Sequence, residues 1–282
     1  MKKFQFLTLI ILFSSAIKAQ NSDEKKNLLT SNANTFGVST VNLLDPYLSP
    51  LTYSGFGISY EHENRRFLST EKTNISTQGK LNMEASYNLN PQSTSSMMFL
   101  GVNYSWGMHY HFRPAKGLQL LAGGLWDADF GFKEVPRNIN NPVSLDLATN
   151  LNLSGVAMID VRLRKKTFRL QLELQTPILG YMFVPLNGAS YYEMFDLGNM
   201  TDAFHVSSLH NKRGVKSSFT IDVPSNRSVW RFGLNFMNVK YSANDLVFVR
   251  KELSLVVGTT FDTANFAGRK NKVPKNFIST NE

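Results

Sequence analysis

Hydrophobic and polar positions alternate with a period of two through most of this 282-residue chain. Between Ser96 and Arg113 the even positions are Met98, Leu100, Val102, Tyr104, Trp106, Met108, Tyr110 and Phe112. The odd positions are Met97, Phe99, Gly101, Asn103, Ser105, Gly107, His109 and His111. Successive side chains on a β-strand point to opposite faces, so the run predicts a strand with one apolar face and one small or polar face. A helix would scatter both sets round its circumference.

The same order recurs along the chain. From Leu145 the odd positions run through Leu147, Leu151, Leu153, Ile159 and Leu163, with Asp146, Asn150, Asn152, Ser154, Asp160 and Arg162 between them. Leu118, Leu120, Trp126, Phe130 and Phe132 oppose Gln119, Asp127 and Asp129. Phe168, Leu170, Leu172 and Leu174 oppose Arg169, Gln171 and Glu173, and Trp230, Phe232, Leu234 and Phe236 continue the series. Strands of soluble proteins average about five or six residues, and several runs here hold their period about three times as long. A transmembrane barrel needs about 9–11 tilted residues per strand and puts its apolar face into lipid. The pattern therefore predicts an all-β chain forming an antiparallel, up-and-down transmembrane β-barrel. Its lipid-facing aromatics would be Tyr104, Trp106, Tyr110, Phe112, Trp126, Phe130, Trp230 and Phe232.

Turn chemistry sets the strand count. "RPAKG" at Arg113–Gly117, "RKKT" at Arg164–Thr167 and "PSNR" at Pro224–Arg227 read as tight turns. Longer links fall at Lys133–Ser144 and Pro185–Ala203, with a shorter one at Tyr241–Asp245. Outer-membrane barrels have short periplasmic turns and longer outer loops. The predicted strands lie near 35–42, 53–65, 79–90, 96–112, 117–133, 145–164, 167–183, 205–223, 228–241 and 246–261. That makes ten, with both termini periplasmic. Twelve would need extra structure inside Arg66–Gln78 and Pro185–His205.

The ends of the chain add a compartment. Lys2 and Lys3 precede an apolar run from Phe4 to Phe13 and a small-residue site at Ala19, which predicts a cleaved signal peptide over 1–19. The run is shorter than the roughly 20 apolar residues of a spanning helix. A periplasmic segment over 20–34, a barrel over 35–261 and a flexible periplasmic tail over 262–282 complete the expected domains. Losing Lys2, Lys3 and Lys18 lowers the net charge from +9 to +6. With no long basic run, this argues against nucleic acid and suits anionic lipid headgroups. The chain has no Cys, so it folds without disulfides or a lipidated cysteine.

The last predicted strand, "ELSLVVGTTF" at Glu252–Phe261, resembles the terminal strand signal recognised by outer-membrane barrel assembly machinery. It departs from that pattern because 21 residues follow the Phe. "YSGFGISYEHE" at Tyr53–Glu63 and "SLHNKRGVKSSFTIDVP" at Ser208–Pro224, with His210-Asn211 and Asp222, resemble an uncharacterised outer-membrane family, domain of unknown function 3316. The likeness covers most of the mature chain. It implies a barrel and a location, with no activity attached.

Candidate chemistry is sparse. His205-x-Ser207 resembles the His/Ser pair of outer-membrane phospholipases and lipid A deacylases, in which His activates Ser. Counting back from Phe219, Ile221 and Val223 points both residues outward, but their height above the apolar band weakens the reading. Asp127-x-Asp129 places two carboxylates on the inner face, like half the site of the omptin proteases. The partner Asp-x-His of that family is missing. His109 and His111 share a face, yet no third metal ligand is evident from local spacing. His210-Asn211 with Asp222 suggests a lumenal hydrogen-bond group. No cofactor or metal is expected.

The expected function is a non-enzymatic outer-membrane barrel with a mostly side-chain-filled polar lumen and a structural or surface-binding role. Glu84, Asp127, Asp129, Asp160, Arg162, Arg169, Glu173, Asp222 and Arg231 would form the lumen network. The alternatives are a narrow channel for small solutes, anionic ones included, and an envelope hydrolase. Outer-membrane lipids including lipopolysaccharide, the assembly machinery and an unidentified ligand of the outer loops are the expected partners.

Overall fold

The structure is a computed structural model and describes residues 27–164, 166–196, 199–225, 228–264 and 277–280. The signal peptide expected over 1–19 lies outside these residues. Ten strands close a barrel: β1 (Asn27–Asp45), β2 (Ser49–Phe67), β3 (Ile75–Leu89), β4 (Ser96–Ala115), β5 (Leu118–Glu134), β6 (Val143–Leu163), β7 (Lys166–Phe183), β9 (Lys212–Pro224), β10 (Val229–Ala243) and β11 (Leu246–Ala264). Every neighbouring pair in the ring is antiparallel, and β1 closes it against β11 from Leu29↔Ala264 to Leu44↔Val249. Closure leaves no long unpaired edge, as a wall in lipid requires.

Two short strands lie outside the ring. β8 (Phe204–Ser208) pairs with the end of β7, and β12 (Phe277–Ile278) runs parallel to Asn27–Leu28. The single strand expected over 205–223 is thus β8 and β9 with the turn Leu209–Asn211 between them. β1 begins at Asn27, earlier than the expected start near 35, and part of the expected tail pairs as β12. Ser31, Ala33, Thr35 and Ser39 fall on its interior side, a pattern that carries little hydropathic contrast.

β1 starts and β11 finishes at what is here called the termini end. The other mouth, the loop end, carries the longest connection, Val184–Ala203, including helix α1 (Tyr191–Asp196). Loop length is not cleanly asymmetric. The loop end also holds the two-residue turn Asn244-Asp245, both at positive φ (52° and 59°), which matches the right-handed twist of a tight hairpin.

Side chains alternate between wall faces as the period predicts. Tyr104, Trp106, Tyr110, Phe112, Trp126, Phe130, Trp230 and Phe232 are all exposed on the outer face. Over β10, β11, β1 and β2 the outer face is apolar across three rows linked by register: Phe232–Val257–Phe36–Tyr60, Leu234–Leu255–Val38–Ile58, and Phe236–Leu253–Thr40–Phe56. Polar rows bound it, Trp230–Thr259–Asn34–His62 toward the termini and Asn238–Lys251–Asn42–Ser54 toward the loops. From Asn34 to Asn42 the strand climbs about 26 Å, or about 20 Å across a membrane at a 40° tilt. That is close to the apolar band of about 25 Å typical of outer-membrane barrels.

Apolar side chains also gather inside the loop-end mouth. Val41, Leu43, Tyr47, Tyr53, Met97, Phe99, Met182, Phe183, Val184, Met194, Leu246 and Phe248 form one buried cluster. Met194 brings α1 into it with no exposed surface.

Candidate functional site

Barrel radius brings inward side chains within reach of strands well round the ring, and long charged residues use that reach. Toward the termini end, Lys80 on β3 donates to Glu173 on β7 (Nζ to Oε2, 2.7 Å), four places apart in a ring of ten. Beside them Glu63 accepts from Arg65 (2.9 Å), Gln78 (2.8 Å) and Arg231 (3.0 Å). Arg231 also grips Asp222 with two parallel hydrogen bonds of 2.7 and 2.9 Å, the fork geometry that suits guanidinium and carboxylate. Arg169 holds Asp160 in the same way at 2.7 and 2.8 Å.

Midway up, Arg250 donates to Glu84 and, at 2.7 Å, to Glu252, with its guanidinium 4.5 Å from the centre of the Phe99 ring. Gly101 leaves the space for this group, because a Cβ there would lie 2.6 Å from the Glu84 Oε1. Asp127 accepts from Asn150 (2.6 Å) and Lys216 (3.2 Å), while Asp129 accepts from Asn103 (2.5 Å) and Asn150 (3.1 Å).

Near the loop end Lys133 bridges Asp45 (3.0 Å) on β1 and Asp146 (2.7 Å) on β6, and Tyr241 donates to Asp146 at 2.6 Å. Between this level and Lys80–Glu173 lies a cavity of about 180 Å³ lined by Glu61, Glu84, Asn103, Asp129, Lys212 and Arg250, among others. A water takes about 30 Å³ of liquid, so the chamber, which Phe99, Met182 and Phe248 also line, has room for several.

The lid above it is tied to the wall. Tyr47 donates its hydroxyl to the Ala189 carbonyl (2.9 Å), the Leu145 amide donates to the Tyr191 hydroxyl (2.7 Å), and Asn244 donates to the Val184 carbonyl (2.9 Å). Burial pushes the Tyr191 hydroxyl up to about 12 and raises that of Tyr47 as well. Ser190 and Glu193 form a capping box on α1, with the Glu193 carboxylate accepting from the Ser190 amide at 2.6 Å.

Glu84, Asp127, Asp129, Asp160, Arg169, Glu173, Asp222 and Arg231 therefore lie in ion pairs or hydrogen bonds facing the interior. Arg162 does not join them. It carries the interior parity, but it sits at the last residues of β6, exposed beyond the Asp160–Arg169 pair.

His205 and Ser207 face inward, against the expected outward parity, and Ser207 is 1% exposed. The turn Leu209–Asn211 reverses the face between β8 and β9, so counting back from Phe219 carries the wrong parity across it. His210 lies on that exposed turn, against the Ser208 hydroxyl (2.5 Å), and Asn211 accepts from the Ser208 amide (2.9 Å). Neither meets Asp222, which belongs to Arg231. His109 and His111 are buried against the hydroxyls of Ser154 (2.9 Å) and Ser76 (2.7 Å). Among the described residues no group of three or more His, Cys, Asp or Glu is placed to hold a metal ion.

Glu63, Arg65, Lys80, Lys133, Lys216, Arg250 and Glu252 were not among the expected network. Parity carries the signal for Lys133, which shares a face with Asp127 and Asp129, and for Lys216, which shares one with Asp222. Arg250 and Glu252 alternate with the outward Leu253 and Leu255 in the same way. Glu63 and Arg65 lie where Tyr60, Glu61 and His62 blur the alternation.

A closed antiparallel barrel with an apolar outer face and a charged interior defines the class: an outer-membrane-type β-barrel. Solved structures with this kind of fold include the transport unit of the autotransporter AIDA-I from Escherichia coli, at 10% identity and TM-score 0.44, covering 93% of this chain and 97% of that one. The translocator domain of the autotransporter NalP from Neisseria meningitidis is 7% identical, TM-score 0.40, covering 84% and 89%. The outer-membrane protease OmpT from Escherichia coli is also 7% identical, TM-score 0.39, covering 86% and 99%. Among curated proteins no sequence relative was found. Residues 5–270 match the family model described as protein of unknown function (DUF3316), and the chain belongs to that family.

Proposed function

We propose that this protein is a non-enzymatic, non-conducting barrel of the outer membrane that holds a lidded surface at its loop end. One observation carries the reading: the bore is crossed at two levels by ion pairs between strands four places apart, Lys80–Glu173 and Lys133–Asp45. The apolar cluster under α1 adds a third barrier. Barrels of about eight strands are filled by side chains, and open channels appear near sixteen. A ten-strand ring filled in this way belongs with the first group. The apolar rows of the outer face support placement in lipid, and the engagement of Asp127 and Asp129 by Lys216, Asn150 and Asn103 supports a structural role for both acids.

Planar-bilayer recording on the purified, folded barrel tests this. No steady conductance above the bare bilayer is expected. Reproducible unitary steps from the wild-type chain would replace this reading with the narrow channel, which the charged chamber favours as the runner-up.

A further inference from the structure

The outer face carries a basic cluster just past the loop-end edge of its apolar band. Arg213 on β9 and Lys240 on β10 are exposed, outward-facing and directly opposite each other in the ladder. Lys251 on β11 is exposed on the same face and pairs with Asn238, two residues from Lys240, which makes it the diagonal neighbour of Lys240. Directly opposed side chains have Cβ atoms about 5 Å apart and diagonal ones about 7 Å, so three long basic side chains share one small area. Like charges placed opposite one another are destabilising unless something lies between them. No described carboxylate does, because none of the three makes an ion pair; Arg213 Nε donates to the Leu209 carbonyl at 2.8 Å.

What fills the gap is argued from depth. Lys251 belongs to the polar row Asn238–Lys251–Asn42–Ser54 that ends the apolar band, and Phe236, Leu253 and Val215 lie directly below the cluster, all exposed. A ligand here would have its charge at the headgroup level and its chains along those apolar residues. We propose that Arg213, Lys240 and Lys251 form a binding site for the phosphate of a phosphorylated glycolipid headgroup in the loop-end leaflet. Charged hydrogen bonds from guanidinium and ammonium to phosphate oxygens would offset the mutual repulsion of the bases. The site rests on the reading of the barrel as an outer-membrane protein.

The test is native mass spectrometry of the folded full chain in a neutral detergent, titrated with diphosphorylated lipid A. Phosphatidylcholine and inorganic phosphate serve as separate arms, and heat-modifiable gel migration checks folding. Retention of lipid A alone is expected. Arg213→Ala with Lys240→Ala should weaken it about thirty-fold, and Lys240→Arg should preserve it. Unchanged affinity in the double variant would overturn the site, as would equal retention of inorganic phosphate. An equal loss from Arg162→Ala with Arg164→Ala, two exposed bases at the opposite rim, would do so too. Lys251→Gln covers the case of a double variant that does not fold, since polar Asn42 and Asn238 flank it; a partial loss supports the site and full retention removes it. Cell fractionation tests the membrane location separately, so lipid binding by a chain found in the soluble fraction would remove that reading and leave the site.

Discussion

Lys80 and Glu173 meet across the bore of the barrel, Nζ to Oε2 at 2.7 Å, from strands four places apart in a ring of ten. Both side chains are almost wholly buried, and Gln175 adds a second donor to Glu173 at 2.6 Å. A buried pair of this kind brings little net stability, because desolvation offsets the attraction, but breaking it strands a charge. Lys80→Met should therefore destabilise the barrel by about 3–5 kcal/mol. Lys80→Met combined with Glu173→Leu should recover more than half of that loss. Urea unfolding in detergent micelles measures both, and a double variant as unstable as the single one would show that the pair is not the relevant unit.

Conductance should respond to the barriers in order. Replacing 185–203 with a short turn removes α1 and the lid's share of the apolar cluster, Met194 and Ala203, yet leaves Lys80–Glu173 and Lys133–Asp45 in place. That variant should stay silent in a planar bilayer. Adding Lys80→Ala, Glu173→Ala and Lys133→Ala to the lid deletion should produce steady unitary steps. Conductance from the lid deletion alone would mean that the lid is the working seal and the ion pairs are permeable.

The strands were legible because one solvent acts on each face of the wall. Every second residue of β4, from Met98 to Phe112, answers to the apolar side, and that order survives without any knowledge of partners. The interior network was legible only as a parity. Asp127 was placed inward correctly, but its partner Lys216 lies three strands away, a choice set by barrel radius and shear. β1 was recognised late because the inner face of its first half is built from Ser31, Ala33 and Thr35, and Gly37 softens the pattern further. His205 and Ser207 were misplaced for a local reason: the turn Leu209–Asn211 breaks the count between β8 and β9, and parity cannot be carried across a break. The lid's contacts, such as Tyr47 to Ala189, join segments 142 residues apart and leave no periodic trace.

The lid should loosen in acid through one carboxylate. Hydrogen bonds from the Ser190 amide and hydroxyl hold Glu193 below its ordinary value of 4.5. Its folded value is depressed, so the contribution is complete above the ordinary value and is lost as pH falls through the folded one. Hydrogen-exchange protection around Ser190–Met194, corrected for intrinsic rates, should be flat from pH 7 to about pH 5 and then decline. Glu193→Gln should abolish that decline. A decline of equal size in the variant would assign the transition to another group.

On the outer face, Trp126 sits opposite Trp106 and donates its indole N–H to the Thr149 hydroxyl at 2.7 Å, and that hydroxyl donates onward to the Asp127 carbonyl at 3.0 Å. In the proposed membrane setting hydrocarbon lies outside and neither donor has water to turn to, so the two ends of this short chain should differ in cost. Trp126→Phe removes a donor and leaves Thr149 bonded to the backbone, which should cost about 0.5–1.5 kcal/mol for the hydrogen bond. Thr149→Val leaves the indole N–H buried against lipid with no acceptor, which should cost about 1–3 kcal/mol. Unfolding in phospholipid vesicles should rank Thr149→Val as the more damaging of the two, although it removes the smaller group. The opposite ranking would mean that ring packing of Trp126, rather than its polar edge, dominates at this position.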